Sequence, residues 1–246
     1  MSPSKKNPVL RVLRLMRRDA VQSIRFTRRW FGKRGFTVLM ALMVVLGGVA
    51  LLHPCDDDLI RSIASVNAAS STWKSVAKQF SFFGDFLGFN VALLVVFQLS
   101  GWLMRSRKLM RLAVASLLCA CLAGAVANVL RPAFGRPRPS SKIADGFYGP
   151  TLKGDLHALP SAHTATAFGG ALPVLMAHPL IGAPLTLAAA AIAWSRLQLD
   201  RHHLTDVLVS IVFAFTFALP LSQWVNRGHL RSRPSVSHAL SSSRQP

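Results

Sequence analysis

The chain has 246 residues, of which 51% are hydrophobic and only 15% are charged. A soluble globular domain of this length carries more charge and shorter apolar runs, so the composition excludes an ordinary water-soluble protein. The formal net charge is +20 and all nine acidic residues are aspartate, which indicates an anionic partner such as a lipid headgroup or a phosphorylated substrate. The long apolar runs argue against nucleic acid, and the three scattered cysteines form neither a disulfide framework nor a zinc spacing.

The N-terminal segment, residues 1–35, holds eleven lysines and arginines against the single acidic residue Asp19. Apolar residues recur between the charges, so one interpretation is a basic amphipathic helix that lies on anionic headgroups. The other is a disordered basic tail that only fixes membrane topology. The apolar run 36–52 follows, and we interpret it as the first membrane span.

Beyond this span, Asp56-Asp57-Asp58 ends the apolar run, and residues 59–80 have apolar side chains at helical spacing with polar ones between them. This pattern predicts an interfacial amphipathic helix. Five more spans are predicted, separated by a polar loop at 131–162 and basic or short turns, over residues 82–104, 112–130, 163–177, 180–199 and 204–225. The predicted fold is therefore all-α: a six-transmembrane-helix bundle over 36–225, with a basic, disordered tail at 226–246.

Orientation follows from the basic segments. The N-terminal segment, the turn at 105–111 and the C-terminal tail are all basic, and six spans place all three on one side, the cytoplasm. The loop 131–162 and the turn 200–203 then face the exterior, which predicts an inner-membrane protein with its polar loops in the periplasm. The external loop is itself basic, against the usual bias, and an anionic ligand would compensate for it.

The start of the predicted sixth span carries His202 and Asp206, which share one helix face at a spacing of four. An aspartate that accepts a hydrogen bond from one ring nitrogen leaves the other nitrogen as a nucleophile. The alternative is a pair that merely caps the helix. Arg196 precedes His202 by six residues, and its guanidinium can make two parallel bonds to a phosphate, although it can also reach up to lipid headgroups.

Two further groups of polar residues face the same predicted side. Ser161 and His163 open the fourth span, where free backbone N–H groups suit a phosphate, although Ser161 can be only an N-cap. Arg131 and Arg138 flank a proline-stiffened loop that can also serve headgroup binding. Asp85, near the external start of the second span, is predicted either to orient one of these arginines or to cap its helix.

Together these residues resemble the signature of the type 2 phosphatidic acid phosphatase superfamily, lipid phosphate phosphatases that share a site with vanadium haloperoxidases. The family motifs are Lys-x6-Arg-Pro, Pro-Ser-Gly-His and Ser-Arg-x5-His-x3-Asp. The matching residues are Arg131-x6-Arg138-Pro139, Pro160-Ser161-Ala162-His163 and Ser195-Arg196-x5-His202-x3-Asp206. Arg131 stands in place of lysine, and Ala162 in place of glycine, where the extra methyl group disfavours positive φ and could crowd a phosphate cradle.

The resemblance implies a mechanism that needs no metal and no cofactor. His202 attacks phosphorus and is held by Asp206, while His163 protonates the leaving oxygen and then activates water. The phosphate oxygens are bound by the remaining site residues, namely Arg131, Arg138, Arg196, Ser161 and the backbone near Ala162. The residues of the 200–203 turn other than His202, including His203, are interpreted as turn residues.

The implied activity is metal-independent dephosphorylation of a membrane lipid phosphate or lipid diphosphate at the external face, through a phosphohistidine. One alternative is a phosphotransferase that passes the phosphoryl group to another lipid. An alternative of a different class is a catalytically decayed, lipid-binding membrane scaffold.

Overall fold

The computed structural model describes residues 8–69, 71–141 and 143–230. Within these ranges the regular elements are eight α-helices and one short 3₁₀ turn, Gly154–Leu156. The helices are α1 (Pro8–Ala50), α2 (Pro54–Ala69), α3 (Thr72–Phe83), α4 (Phe86–Leu103), α5 (Arg107–Phe134), α6 (Ala162–Ala177), α7 (Pro179–Gln198) and α8 (Leu204–Leu230). Five of the described helices are long and apolar enough to cross a membrane: α1, α4, α5, α7 and α8.

The central helix is α6, the predicted fourth span. Nearly all of its side chains are buried, because it packs against α4, α5, α7 and α8. A methyl group on Gly169 would come within 2.7 Å of the Ala120 backbone, so glycine lets α6 and α5 approach closely. With 16 residues, α6 is shorter than the roughly 20 residues that a full span requires. The six-span count therefore stays a prediction.

The N-terminal segment is helical from Pro8 onward. One helix, α1, runs over 43 residues and contains both the basic segment and the predicted first span, so no break in the helix marks the predicted boundary at residue 35. That the basic half of α1 lies on anionic headgroups stays a prediction. Asp19, Ser23, Thr27 and Trp30 form a buried stripe at helical spacing, which excludes a disordered tail for residues 8–35. Residues 1–7 lie outside the described ranges.

The first half of α1 crosses one end of the bundle. Val12 lines a groove beside α4. Asp19 accepts a hydrogen bond from Nη2 of Arg107 in α5 at 2.9 Å. Trp30 Nε1 donates a hydrogen bond to Gln223 of α8 at 3.0 Å. The hydrogen bonds of Asp19 and Trp30 therefore hold this half of α1 against α5 and α8, whereas a groove separates it from α4. The basic starts of α1 and α5 consequently lie at the same end of the molecule.

The segment predicted as a single interfacial helix, residues 59–80, contains two helices, α2 and α3. Helix α3 lies on α7, where the Trp194 ring makes edge contacts with Trp73 and Phe80 at centroid distances of 6.2 and 6.4 Å. At the other end of the chain, α8 continues past the predicted limit at residue 225 to Leu230. The tail predicted to be disordered lies, from residue 231 on, outside the described ranges.

Candidate active site

The polar loop between α5 and α6 is held by backbone hydrogen bonds in a defined register. It begins at Gly135, whose φ of 62° is left-handed and whose missing Cβ makes room for the backbone of Gly149. Further along, Arg138 N donates to Asp155 O at 2.8 Å, and Ala158 N donates to Arg136 O at 3.0 Å. The loop therefore places Arg136, Arg138 and Ala158 over the ends of the helices.

His202 is buried in the turn between α7 and α8, and its Nδ1 atom lies 2.7 Å from the carbonyl oxygen of Ala158. A carbonyl can only accept a hydrogen bond, so Nδ1 carries the proton and Nε2 keeps its lone pair. The predicted partner, Asp206, has its Oδ2 atom 3.8 Å from Nδ1, beyond hydrogen-bond length. The backbone of Ala158, not the carboxylate of Asp206, therefore sets the tautomer.

Burial also shifts the acid–base behaviour of His202. It lowers the pKa of the imidazole below its usual value, and the positive charge of Arg196 acts in the same direction, while the negative charge of Asp206 opposes the shift. The ring is consequently neutral at pH 7, which is the form that can act as a nucleophile.

Asp206 belongs instead to a buried ionic network that we call the Arg136 cluster: Arg136, Asp56, Asp145, Thr205 and Asp206. The Arg136 guanidinium donates to Asp206 Oδ1 at 2.7 Å, to Asp56 Oδ2 at 3.0 Å and to Asp145 Oδ1 at 3.2 Å. Burial alone would lower the pKa of Arg136, but the three carboxylates raise it above its usual value. The cluster joins α2, the loop and α8 at the base of the site.

Sequence reasoning missed the Arg136 cluster. Asp56 had been interpreted as the end of an apolar run, yet its side chain is 2% exposed, and Thr205 N and Oγ1 both donate to it, at 3.0 and 2.6 Å. Nothing in the local pattern separates Asp56 from Asp57 and Asp58, both of which are exposed. Pairing across 150 residues is visible only in the fold.

His203 lies in the segment between α7 and α8, where the sequence predicts turn residues, and it also has a structural role. Its side chain is buried, and both its backbone N–H and its Nδ1 atom contact Asp206 Oδ2, at 2.8 and 3.1 Å. Asp206 is thus held by His203 on one oxygen and by Arg136 on the other. The aspartate that the resemblance assigned to His202 is placed to organise the start of α8.

The three motif arginines, Arg131, Arg138 and Arg196, form what we call the free-arginine cluster. None of them pairs with a carboxylate of the described residues at ion-pair distance. Their side chains contact neutral oxygens: Arg196 donates to Ser81 Oγ and Arg131 to Asn128 Oδ1. The Nε atoms of Arg138 and Arg196 are buried and have no hydrogen-bond partner in the described part of the chain.

The free arginines lie close enough to repel one another. Arg196 is within electrostatic range of Arg131, Arg138 and Arg201. Burial, followed by the charge of Arg201, lowers the pKa of Arg138 below its usual value, and Asp155 only partly opposes this. Buried donors without acceptors, in a field of like charges, form a site that an anion would stabilise.

The start of α6 faces this cluster. Ser161 is fully buried, and its Oγ atom caps the helix by accepting from Thr164 N at 3.5 Å, so the predicted capping geometry is present. The backbone N–H groups of Ala162 and His163 form no hydrogen bond within the described residues. Ala162 begins α6 without the positive φ that the glycine of the family motif suggested, so its methyl group causes no backbone strain.

His163 lies between the free arginines and Asp85. Its Nε2 atom is 3.9 Å from Asp85 Oδ1, and its ring is within electrostatic range of Arg196, His202 and Arg131. Asp85 occupies the N-cap position of α4, although its side chain makes no capping hydrogen bond, and it forms no ion pair with an arginine of the described chain. Its two predicted roles stay predictions. Asp85 is placed to influence His163.

A cavity of about 440 Å³ opens beside His163 between α4, α5 and α6. Asp85, Asn128, Arg131 and His163 line its polar end. Its opposite wall consists of small side chains of α5, namely Ala120, Cys121, Gly124 and Ala125. From Arg131 to Ala120 the cavity follows α5 for about 16 Å, at 1.5 Å per residue. No cluster of metal-ligating side chains occurs in the described residues.

Comparisons with known proteins identify the family and the fold that the chain resembles. Residues 112–229, which cover α5 from Leu112, the loop, α6, α7 and nearly all of α8, match the sequence model of the PAP2 superfamily. The crystal structure of a transmembrane PAP2-type phosphatidylglycerolphosphate phosphatase from Bacillus subtilis is similar in fold, with a TM-score of 0.53 and 16% sequence identity. The match covers 81% of this chain and 98% of that protein. A search of curated proteins found no match.

Proposed function

This chain belongs to the PAP2 superfamily, and from that premise we propose that it removes phosphate from a lipid phosphate or lipid diphosphate through a phosphohistidine on His202. The observation that carries the proposal is the free-arginine cluster. Two buried Nε–H groups have no acceptor among the described residues, and with a third arginine beside them they would be stabilised by an anion with several oxygens. A terminal phosphate supplies those oxygens.

In the first step, His202 Nε2 attacks phosphorus and the bond from phosphorus to the leaving oxygen breaks. Because Nδ1–H donates to Ala158 O, the developing positive charge on the ring meets a carbonyl dipole, with Asp206 at 3.8 Å. Arg131, Arg138 and Arg196 stabilise the charge on the transferring oxygens. His163 donates its proton to the leaving oxygen. Burial and the charge of Arg196 favour the neutral ring, while Asp85 at 3.9 Å and the bound phosphate favour the protonated ring that this step needs.

In the second step, His163, now neutral, takes a proton from water, whose oxygen attacks phosphorus. The bond between phosphorus and His202 Nε2 breaks, which restores the neutral imidazole. The net reaction converts the lipid phosphate and water to the dephosphorylated lipid and inorganic phosphate. The chain's own residues supply every proton transfer, so the proposal includes no metal and no cofactor.

The cavity beside His163 supports a lipid as substrate. Its polar end meets the catalytic groups, and its apolar wall has the dimensions of part of a hydrocarbon chain. The basic half of α1 and the basic start of α5 lie at the opposite end of the bundle, so the positive-inside rule assigns the catalytic end to the external, periplasmic face of the inner membrane.

The activity is tested by measuring phosphate release by the purified full-length protein on phosphatidic acid, phosphatidylglycerophosphate and a polyprenyl diphosphate, with p-nitrophenyl phosphate as soluble comparison. We expect turnover of at least one lipid in EDTA, inhibition by vanadate, and no turnover by His202→Ala. His178→Ala, which changes a histidine at the other end of α6, serves as the matched control. Complete loss of activity in EDTA, or an active His202→Ala protein, would overturn the mechanism.

The covalent step has its own test. Acid-labile, base-stable label from a ³²P-lipid substrate should appear on the protein after rapid quenching and be absent from His202→Ala. Phosphate released without added lipid acceptor separates hydrolysis from phosphotransfer between lipids. Tight binding of lipid phosphate without any turnover would identify a decayed scaffold instead.

The role of the cavity is tested by filling it. Cys121→Phe places a ring in the apolar wall and should raise KM for long-chain lipid phosphates several-fold while leaving short-chain substrates unaffected. Ala190→Phe adds the same ring to an exposed position of α7 outside the cavity and is the matched control. Equal effects of the two substitutions on long-chain lipids would show that the cavity does not hold the chain.

A further inference from the structure

An apolar groove between α1 and α4 lies at the end of the molecule opposite the candidate catalytic residues. The first half of α1 and the second half of α4 do not pack closely, and the groove of about 470 Å³ between them is almost wholly apolar. Its walls are formed by residues of both helices, namely Val9, Val12, Leu13, Met16, Leu94, Val95, Gln98, Leu99 and Trp102.

A basic cavity of about 700 Å³ adjoins the groove. Val12 and Trp102 line both spaces, so the two lie side by side. The polar lining of the cavity consists of three arginines, Arg11 from α1 and Arg105 and Arg107 from the start of α5 and the turn before it. Apolar walls that end in guanidinium groups match the two parts of a phospholipid.

The charges at this end are not balanced by the protein. Eight of the nine aspartates of the chain lie elsewhere, and the remaining one, Asp19, is buried against Arg107 Nη2 at 2.9 Å and Arg111 Nε at 3.9 Å. Neither Arg11 nor Arg105 pairs with a carboxylate of the described residues. A zwitterionic headgroup would leave this charge uncompensated, whereas an anionic one would neutralise it.

The groove and the basic cavity are separate from the cavity beside His163. Helix α5 carries Arg107 at the basic cavity and Arg131 at the catalytic one, and the 24 residues between them span about 36 Å at 1.5 Å per residue. That distance exceeds the roughly 30 Å hydrocarbon core of a bilayer, so one phospholipid cannot reach both.

From the apolar groove, the adjoining cavity with its three arginines and the missing carboxylates, we propose that an anionic glycerophospholipid of the opposite leaflet binds between α1 and α4. Its phosphate contacts Arg11, Arg105 and Arg107, and one acyl chain lies against Trp102 and Val95. This lipid is a structural ligand, not a substrate, and it secures the start of α1 to α4. The inference does not rest on the proposed phosphatase activity.

Trp102 provides the measurement, because it lines both the groove and the cavity. The full-length protein is placed in phosphatidylcholine nanodiscs that contain increasing fractions of dibrominated phosphatidylglycerol or dibrominated phosphatidylcholine. The contribution of Trp102 to the fluorescence is obtained as the difference from Trp102→Phe. We expect half-maximal quenching at about a tenfold lower fraction of the anionic lipid, since each basic group contributes measurably to binding of an anionic headgroup.

Two pairs of variants separate this site from general surface charge. Arg11→Gln combined with Arg105→Gln should remove the preference, whereas Arg28→Gln combined with Arg29→Gln, which removes the same charge from exposed positions of α1, should keep it. Val95→Phe fills the groove and should weaken quenching with all charges intact. Val96→Phe, on an exposed face of α4 outside the groove, should not.

Equal quenching by the two brominated lipids, or equal loss in the two double variants, would overturn the proposal. So would a dimer in light scattering that Val95→Phe converts to a monomer, because the groove would then hold a second copy of the chain. Phosphate release is measured separately, so loss of catalysis and loss of this lipid are distinguishable outcomes.

Discussion

Arg136 and Arg138 stand two residues apart in the same loop, and their surroundings are opposite. Arg136 is surrounded by the carboxylates of Asp56, Asp145 and Asp206 and donates to all three. Arg138 pairs with no carboxylate of the described chain, and its Nε atom is buried without an acceptor. An arginine that the protein has already neutralised holds the fold together, while one left unneutralised is available to a ligand.

A similar contrast separates the two aspartates beside the candidate catalytic histidines. Asp206 is fully buried and contacts Arg136 and His203, so it organises the start of α8. Asp85 has a side chain that is 61% exposed, lies 3.9 Å from His163 and lines the cavity beside it. The Arg136 cluster should consequently govern stability, and the groups around the cavity should govern catalysis.

Arg136→Met should produce the largest effect. It leaves Asp56 and Asp206 buried without their cation, and removing one partner of a buried ion pair typically destabilises a protein by about 3–5 kcal/mol. Thermal unfolding in detergent should show a marked fall in the midpoint, with Arg138→Met as the matched control. If the two variants unfold at the same temperature, the contrast between these arginines is wrong.

Arg196→Ala should mainly affect catalysis. Loss of one preorganised donor to a transferring phosphoryl group typically lowers kcat by about 10²- to 10³-fold. The unfolding midpoint should stay the same or rise, because repulsion among Arg131, Arg138 and Arg196 is reduced. Steady-state kinetics tests the predicted fall in kcat, and thermal unfolding of the same preparation tests the predicted midpoint. A clear loss of stability with normal kcat would mean that Arg196 has a structural role and not a catalytic one.

The pH dependence of the reaction reports on His202. Burial lowers the pKa of this imidazole, so the neutral nucleophile should persist below the usual histidine value of about 6.5. The acid limb of kcat/KM should therefore lie below that pH. In the unfolded state, His202 binds a proton at a higher pH than in the folded state. Its contribution to the free energy of unfolding should therefore fall as the pH drops from about 6.5 toward the folded pKa of His202. An acid limb above pH 6.5 that is independent of the substrate's own ionisation would contradict the assignment.

Asp85→Asn should have a moderate effect, because the group is exposed and acts through His163. We expect kcat to fall several-fold with little change in KM, since the substitution weakens support for the protonated imidazole and leaves the phosphate contacts intact. Asp57→Asn, at an exposed position of α2, is the control. A raised KM with normal kcat would mean that Asp85 contacts the substrate directly.

Ala162→Gly, which restores the residue of the family motif, should have the smallest effect. Ala162 is the first residue of α6 and has no positive φ, so glycine relieves no strain there. The rate should change less than about threefold, and the helix should lose at most about 1 kcal/mol from the lower propensity of glycine. A large gain in rate would show that the methyl group crowds the phosphate.

Much of the fold followed from hydropathy, because a helix that crosses a membrane must be long and apolar. The helices predicted after residue 82 occur where the apolar runs place them, within a few residues at each end. The first eighty residues were less predictable. Whether basic amphipathic helices lie apart or pack on a bundle depends on partners such as Arg107, Gln223 and Trp194, which are distant in sequence.

By itself, the sequence determined the class of the protein, its apolar helices and the family motifs that name the candidate catalytic residues, because apolar run length and local spacing are properties of neighbouring residues. Only the tertiary structure decided which charges face each other. Asp206 contacts Arg136 and His203, and His202 contacts the carbonyl of Ala158. Arg138 and Arg196 each keep a buried Nε donor that has no partner in the part of the chain that the structure describes. Neutralisation of a buried charge depends on groups far apart in the chain, and no local pattern encodes which of them will meet.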